Sequence, residues 1–493
     1  VDTIDRLRDA LRAADYTYDA VSALLGPIAH GALARNETTP GLRVTTGGSP
    51  LETLTRLWPL QRPVGVDAAE EALGGLVDPL CALGILERSV GEVAARVDLR
   101  PYGTDTGDLW VLGDLTPGLD GSPNRVGPDH VLGISPAATS LAQLTVRAPV
   151  DSALDLGTGC GVQSLHLAAH ARRVVATDVN TRALWITRLN AQLNEIALDV
   201  REGSFFEPVA RERFDLIVTN PPFVISPAVG ERLVYRDSGI PGDRVVEDLV
   251  RRAPAHLAPG GTAQILANWA ITADRPWTER LADWFVPTGD EPGCDAWVVQ
   301  REVLDIAAYV ELWLKDAGVH GGADYASRYD TWLSWFEENG IEAVGFGWLN
   351  LRAAHATSPS VRLEEWPWEV EQPLGQEIAA HFATQALLRD LPDDALLATR
   401  PRLAVDVLQE TVGPAGAADP SQVVLRRQRG MRRARPVDTV TAGLAGAADG
   451  DLGLGQLLGA LADLVGPFDL ATRLDEVRAL IAEGFLELDR PGS

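Results

Sequence analysis

Lysine is almost missing from this 493-residue chain: Lys315 is the only one, and every other basic side chain is arginine or histidine. A mechanism built on a lysine Schiff base or a phosphate-loop lysine has almost no residue to use. Cysteine is nearly as scarce. Cys81, Cys160 and Cys294 lie too far apart for a paired zinc motif or a disulfide framework, as expected of a reducing compartment. No unbroken apolar run reaches the roughly 18 residues that mark a membrane span. The opening segment VDTIDRLRDALRAADYTYDA is charged and amphipathic, without the apolar core of a signal peptide. These shortages lead us to expect a cytoplasmic protein with no membrane partner. Positive charge is short as well. A formal net charge of −26 repels phosphate backbones at long range and disfavours non-specific nucleic-acid binding.

The length calls for more than one domain. Residues 1 to about 90 read as short helices, with Ile4, Leu7 and Leu11 on one face, and a hairpin turns at Gly91. Helices followed by a hairpin are the order of a winged-helix module, and equally of a small helical cap. From about residue 150 the pattern alternates strand and helix: SALDLG, a helix from Gly161 to Ala171, RVVATDV, a helix over 181–194, ALDVREG, FDLIVTN, a helix over 243–257, and GTAQILAN. Such alternation builds a parallel sheet with helices on both faces. A helix over 276–285, the strand DAWVVQRE, two helices and the strand EAVGFGWLNLRA follow, and the last two strands could close the sheet as an antiparallel edge. Eleven of the thirteen tryptophans fall between Trp185 and Trp368, so they belong to this middle region. The tail reads as helices over 374–388 and 393–409, then SQVVLRRQRGMRRARPV, then Ala/Gly/Leu-rich helices. Its ending, IAEGFLELD, echoes LCALGILERS at 80–89. We expect three domains: a helical or winged-helix-like one over 1–105, an α/β domain over 106–370 with a helical insertion near 303–340, and an α+β, again winged-helix-like, one over 371–493.

Three short motifs carry chemistry. ALDLGTGCGVQ places Asp155, Gly157, Thr158, Gly159 and Gly161 at a strand-to-helix turn, where glycines allow a sharp bend and close approach of a ligand. A dinucleotide turn would bring a pyrophosphate that wants bare amides at a helix N-terminus. An acid at the strand end suits an ammonium or sulfonium charge instead. VVATDVN ends the next strand with Asp178, followed by Val179 and Asn180, and a carboxylate there can accept both hydroxyls of a ribose. In RFDLIVTNPPFVISP the apolar run Phe214–Val218 ends in Thr219, Asn220, Pro221, Pro222 and Phe223.

In this order the motifs resemble the class I S-adenosylmethionine-dependent methyltransferases, and within them the branch with an (Asn/Asp)-Pro-Pro-(Tyr/Phe) motif. That branch includes the HemK-type glutamine methyltransferases of release factors, ribosomal RNA guanine-N2 methyltransferases and DNA adenine-N6 methyltransferases. The match covers roughly residues 130–270. The resemblance implies a Rossmann-like seven-stranded core and S-adenosylmethionine as cofactor, released as S-adenosylhomocysteine. It puts Gly157, Gly159 and Gly161 beside the methionine part and Asp178 on the ribose. The family often carries an acid after the third strand, on the adenine amino group. REGSFFEP offers Ser204 there, flanked by Phe205, so a serine hydroxyl, the backbone or the Phe205 ring would take that place. Pro136 and Thr139 sit in a segment that often covers the cofactor.

Methyl transfer to nitrogen is an in-line displacement that depends on aim. An amide or aromatic amine is a poor nucleophile because its lone pair is delocalised. The Asn220 side-chain oxygen and the Pro221 carbonyl can each accept one N–H of an –NH₂ group, turning the lone pair toward the methyl and stabilising the growing positive charge. Pro222 would stiffen the loop and Phe223 would face a flat substrate group. Tyr235 and Arg236, just downstream, could shape an acceptor lid or tether a long loop. Cys160 reads as a packing residue, and His166 and His170 lack the further ligands of a zinc site. The run RRQRGMRRAR (426–435) could bind RNA, bind an acidic peptide, or form a β-hairpin salt-bridged to an acidic body. A protein or peptide nitrogen is the first expected acceptor, an RNA or DNA base amine the second and a small molecule the third. The sequence leaves the oligomeric state open.

Overall fold

A computed structural model describes all residues except 1, 123–125, 128, 228–239, 288–292, 355–358, 417–419 and 489–493. The chain forms two compact units: Val1–Ala142 with Ala148–Trp366, and Gln143–Arg147 with Pro367–Ser493.

In the first unit the apolar runs predicted as strands lie in one eight-stranded sheet. Its strands are β1 (Val150–Leu156), β2 (Ala171–Asp178), β3 (Asp199–Glu202), β4 (Phe214–Thr219), β5 (Leu257–Thr272), β6 (Cys294–Asp305), β7 (Ile341–Ala353) and β8 (Val361–Glu365). Across the sheet they run β8-β6-β7-β5-β4-β1-β2-β3. Strands buried on both faces read as unbroken apolar runs rather than alternating ones, and Leu216, Ile217 and Val218 of β4 are all at most 1% exposed. The connecting helices are α1 (Val162–Leu167), α2 (Thr181–Leu193), α3 (Arg244–Arg252), α4 (Trp277–Ala282), α5 (Ile306–Asp316) and α6 (Tyr325–Glu338). Tryptophans fill this region: Trp269, Trp284 and Trp297 are almost fully buried.

Three details correct the sequence reading. The sheet does not end in two antiparallel strands: β7 alone is antiparallel, and it lies between β5 and β6. The chain passes through α4 to lay β6 two positions from β5, and β7 returns into the slot between them after the α5–α6 hairpin. The eighth strand, VRLEE, was not foreseen: Val361 and Leu363 alternate with charged residues over only four positions, and most of the strand is half-buried. Helix α1 is shorter than expected, ending at Leu167, so His166 and His170 do not share a helix face.

The N-terminal segment belongs to the same unit. Its helices, from Thr3–Ala13 to Val77–Ala82, stand with a small sheet of Val64–Gly65, Glu92–Ala95 and Leu86–Ser89, and Gly91 turns the hairpin at φ 76°. A second hairpin, Val97–Thr104 with Gly107–Asp114, meets α2 through two asparagine amides. Asn194 Oδ1 accepts from the Trp110 amide at 2.9 Å and its Nδ2 donates to the Trp110 carbonyl at 2.7 Å. Asn190 does the same for Leu112, at 2.7 and 2.9 Å, and donates also to the Cys160 carbonyl at 2.7 Å. One turn apart on α2, the two amides serve the hairpin edge as peptide groups of a neighbouring strand would.

In the second unit the expected helix over 393–409 stops at Ala398. Pro401 lacks an amide donor, and β-branched residues follow, so the chain turns into the strands Pro401–Leu403 and Val407–Val412. The arginine-rich run is a hairpin, Gln422–Arg427 with Ala434–Val437. Arg426 pairs with Glu410 at 2.6 Å, Arg427 with Asp406 at 3.2 Å and Arg435 with Glu483 at 3.1 Å. The echoed segments share a local form: Gly84 and Gly484 end their helices at φ 75° and 77°, and Ile85 and Phe485 follow, both fully buried.

Asn190 is fully buried, and Asn190→Ala would strand both backbone groups of Leu112 and the Cys160 carbonyl. We expect a loss of about 3 kcal/mol in urea unfolding, at about 1–3 kcal/mol per unpaired group. A loss under about 1 kcal/mol would show that the amide is not a structural tie.

Candidate functional site

Parallel pairing sets three strand ends level. Leu156 on β1 is paired with Thr177 on β2 and with Thr219 on β4. The next residues along the three strands, Gly157, Asp178 and Asn220, therefore stand side by side at the end of the sheet. Here the connections that leave β1 and β4 go to opposite sides, which marks the switch point where ligands bind in open α/β sheets.

The glycine turn is folded by its neighbours. The Gly157 and Thr158 amides both donate to the Thr177 carbonyl at 2.9 Å, the Gly159 amide donates to Asp178 Oδ2 at 2.9 Å, and the Gly161 amide to the Thr158 carbonyl at 2.8 Å. Gly157, Gly159 and Gly161 have φ of 75°, 56° and 85°, which favours glycine at each. A Cβ on Gly157 or Gly159 would meet no atom within 4 Å, so a ligand has room against the bare backbone. With these four amides committed inside the protein, the turn is poorly furnished to cradle a pyrophosphate.

Two carboxylates flank the turn. Asp155 is 1% exposed, and its Oδ2 accepts from Thr158 Oγ1 at 2.6 Å and from the amide and hydroxyl of Ser164 at 3.0 and 2.7 Å. Burial outweighs these bonds and pushes its pKa up to about 6. Asp178 also accepts from the Asn180 amide at 2.9 Å, so each of its oxygens holds one backbone donor and keeps capacity for another. Burial raises its pKa too. Val179 stands out beside it, 64% exposed. The Asn180 side chain caps α2 by accepting from the Arg182 amide and donates to the Asp129 carbonyl at 3.0 Å.

The Gly203 amide donates to the Asp178 carbonyl at 3.0 Å, which brings the segment after β3 to the same edge. Ser204 follows, its amide held by Glu207 Oε2 at 3.3 Å, and Phe205 adopts φ 45°, uncommon for an aromatic residue. Glu207, which carried no motif, thus holds the backbone at Ser204. Cys160 is buried and its thiol pushed up to about 11, in keeping with a packing residue. Pro136 and Thr139 lie on the helix Pro136–Leu144, which is tied to α1 through Gln163 Nε2 and the Ala138 carbonyl at 2.6 Å.

Across β1, Thr219 Oγ1 donates to the Leu156 carbonyl at 2.7 Å. Asn220 comes next, and its side-chain oxygen is buried with no hydrogen-bond partner among the described residues. Pro221 is buried, and Pro222 and Phe223 are half-buried. The Phe223 ring meets Trp313 of α5 edge-on, with centroids 6.3 Å apart. The Ile225 amide donates to the Tyr309 hydroxyl at 2.8 Å. Tyr309 and Trp313 lie some 90 residues beyond the loop, with no sequence signal linking them to it. Tyr235 and Arg236 lie outside the described residues. A cavity of about 480 Å³ lined by Arg62, Asp114, Thr116 and His130 includes none of the site residues named above. Among the described residues no His/Cys/Asp/Glu cluster could hold a metal.

Residues 135–285 match the methyltransferase small domain family, and residues 13–96 match a domain of unknown function, DUF7059. A release factor glutamine methyltransferase of Xylella fastidiosa is 37% identical over 130 residues, 23% of this chain and 46% of the relative. A ribosomal protein uL3 glutamine methyltransferase of Bradyrhizobium diazoefficiens is 31% identical over 169 residues, 31% and 52% of the two chains. This chain thus spans about half the length of these curated relatives. A solved 16S rRNA N2 G1207 methyltransferase of T. thermophilus, in complex with AdoMet and guanosine, aligns with TM-score 0.27 and 19% identity over 49% of this chain and 64% of that one. The sheet has the Rossmann-like architecture of a class I methyltransferase core, with β8 as an added edge strand.

Because Asp155 binds its proton more tightly folded than unfolded, its protonation stabilises the fold below the ordinary value of 3.8, an effect lost as pH rises through about 6. Asp155→Asn keeps an oxygen for the Thr158 and Ser164 donors but does not titrate. The stability of the native protein minus that of the variant should fall by about 3 kcal/mol between about pH 4 and 6, at about 1.4 kcal/mol per unit. A level difference curve would refute the burial cost.

Proposed function

We propose that the chain is an S-adenosylmethionine-dependent N-methyltransferase that acts on a planar side-chain amide of a polypeptide, glutamine first. The observation that carries this reading is the Asn220 side-chain oxygen, buried beside the glycine turn without a partner among the described residues. An unpaired buried acceptor costs about 1–3 kcal/mol, and an incoming –NH₂ group would remove that cost by donating one N–H. The Pro221 carbonyl would take the other. Held by both, the nitrogen lone pair points out of the amide plane, and positive charge growing on it falls beside two oxygen dipoles.

The residues around the turn fit the cofactor. Open space over Gly157 and Gly159 would receive the methionine part, and the spare acceptor capacity of Asp178 the ribose hydroxyls. Asp155 places a carboxylate under the turn, and Ser204 and Phe205 would border the adenine. When bound, the cofactor supplies a methyl group activated by its sulfonium. The residues matched to the family also support this reading, and the names of the relatives put glutamine ahead of other acceptors. The net charge of −26 favours a polypeptide over RNA or DNA. In the same proposal residues 1–105 are a winged-helix-like module flanking a methyltransferase domain over 106–370, with a second such module over 371–493.

Asn220→Ala should lower kcat by about 100- to 1000-fold, the usual loss for one preorganised polar contact in a transition state. Cofactor affinity by calorimetry should change little, and full turnover would remove the acceptor role. Asp178→Asn should weaken cofactor binding more than tenfold, since its –NH₂ group must face the Gly159 or the Asn180 amide. Unchanged affinity would rule out the ribose assignment. For the acceptor, purified protein with radiolabelled cofactor is offered a release factor, ribosomal protein uL3 and ribosomal RNA in turn. Label on either protein, lost to protease, is expected; label on RNA alone, lost to ribonuclease, would reject the polypeptide reading.

A further inference from the structure

We propose that Tyr309, in the helical insertion between β6 and β7, is a positioning residue for the Asn220–Phe223 loop. The loop leaves the sheet at Thr219, whose hydroxyl is fixed to the Leu156 carbonyl at 2.7 Å. From there it has no ladder to hold it, and two prolines remove two of its amide donors. At its far end the Ile225 amide donates to the Tyr309 hydroxyl at 2.8 Å. Asn268 on β5 donates its side-chain Nδ2 to the same oxygen at 3.2 Å, which ties the phenol to the sheet. Tyr309, Ile225 and Asn268 are each at most 1% exposed, so these bonds form away from water.

Helix α5 meets the loop twice from one face. Trp313 stands one turn after Tyr309, their rings 6.0 Å apart, and touches the Phe223 ring edge-on. The Tyr309 ring packs in turn against Phe336 of α6 and Phe346 of β7. The loop is thus clamped at Thr219 by the sheet and at Phe223 and Ile225 by the insertion, and Asn220 lies between the clamps. A rigid acceptor pair demands this: misplacement by about 1 Å can cost a hundredfold in rate. Tyr309 acts on catalysis in this way only if Asn220 holds the acceptor as proposed above.

Tyr309→Phe keeps the ring and deletes the oxygen. Amide hydrogen exchange in the segment 219–227 should then quicken at least tenfold, whereas cofactor affinity by calorimetry stays within about threefold. With the release factor or uL3 as acceptor, kcat should fall on the order of tenfold to a hundredfold at unchanged cofactor KM. Unchanged exchange, or unchanged kcat in a protein in which Asn220→Ala is inactive, would overturn the positioning role. Full turnover in Asn220→Ala would instead remove the acceptor role and leave the exchange result to judge the clamp. Should Tyr309→Phe fail to bind cofactor, Asn268→Ala decides, since it spares the phenol and removes its second partner. A smaller loss of kcat at native affinity is expected there, and native kcat would overturn the proposal.

Discussion

The parallel register of β2, β1 and β4 is the constraint on which the site depends. Because Leu156 faces both Thr177 and Thr219, the residues that follow emerge in one row whatever their chemistry. A glycine, a carboxylate and a carboxamide are thereby brought together from positions 157, 178 and 220. A slip of one residue in either ladder would turn these side chains to the other face of the sheet. The bonds around the row hold it in place: Thr177 receives two amides of the turn, Asp178 a third, and Thr219 reaches back to Leu156. Asn190 extends the same tie outward, since one amide holds both the Cys160 carbonyl and the Leu112 edge of the N-terminal hairpin.

The way the turn satisfies itself also selects what it can bind. A phosphate-binding turn leaves its amides free and aims them at the anion. Here the Gly157, Thr158, Gly159 and Gly161 amides are spent on protein oxygens, and the polar groups left at the edge are carboxylates. Keeping Asp155 buried carries a cost in stability at neutral pH, visible in its raised pKa. Such a cost persists most readily where a charged group is of use to the molecule, and a cation or a pair of hydroxyls is the ligand chemistry that two acids favour.

What could be read in the sequence was what is local. The glycine turn, Asp178 and the Asn-Pro-Pro-Phe loop are contiguous stretches whose residue types already state their geometry, and the alternation of strands and helices over 150–270 needed only periodicity. What could not be read depends on partners distant in the chain. Nothing in EAVGFGWLNLRA says that β7 enters between β5 and β6 rather than at the rim, because a central slot and an edge ask for similar apolar residues. In VRLEE the alternation of apolar and charged residues spans only Val361 to Glu364, the shortest run that signals a strand. The stretch 393–409 has helical spacing up to Ala398, but Pro401 and pairing with distant strands override it. Tyr309 carried no motif, since its meaning comes from distant partners such as Ile225 and Asn268.

The same distance bears on why the loop is built this way. A proline pair fixes φ at two positions but gives the backbone no ladder bond, so stiffness within the loop does not place the loop on the sheet. Placement has to come from outside it, and a strand edge could not supply it without filling the space above the strand ends where the proposed ligand would enter. A helix packed beneath can. By meeting the loop with a phenol and an indole four residues apart, α5 supports it and leaves the buried Asn220 oxygen without a partner among the described residues. An insertion between the last core strands therefore carries the second half of a clamp whose first half is the sheet itself.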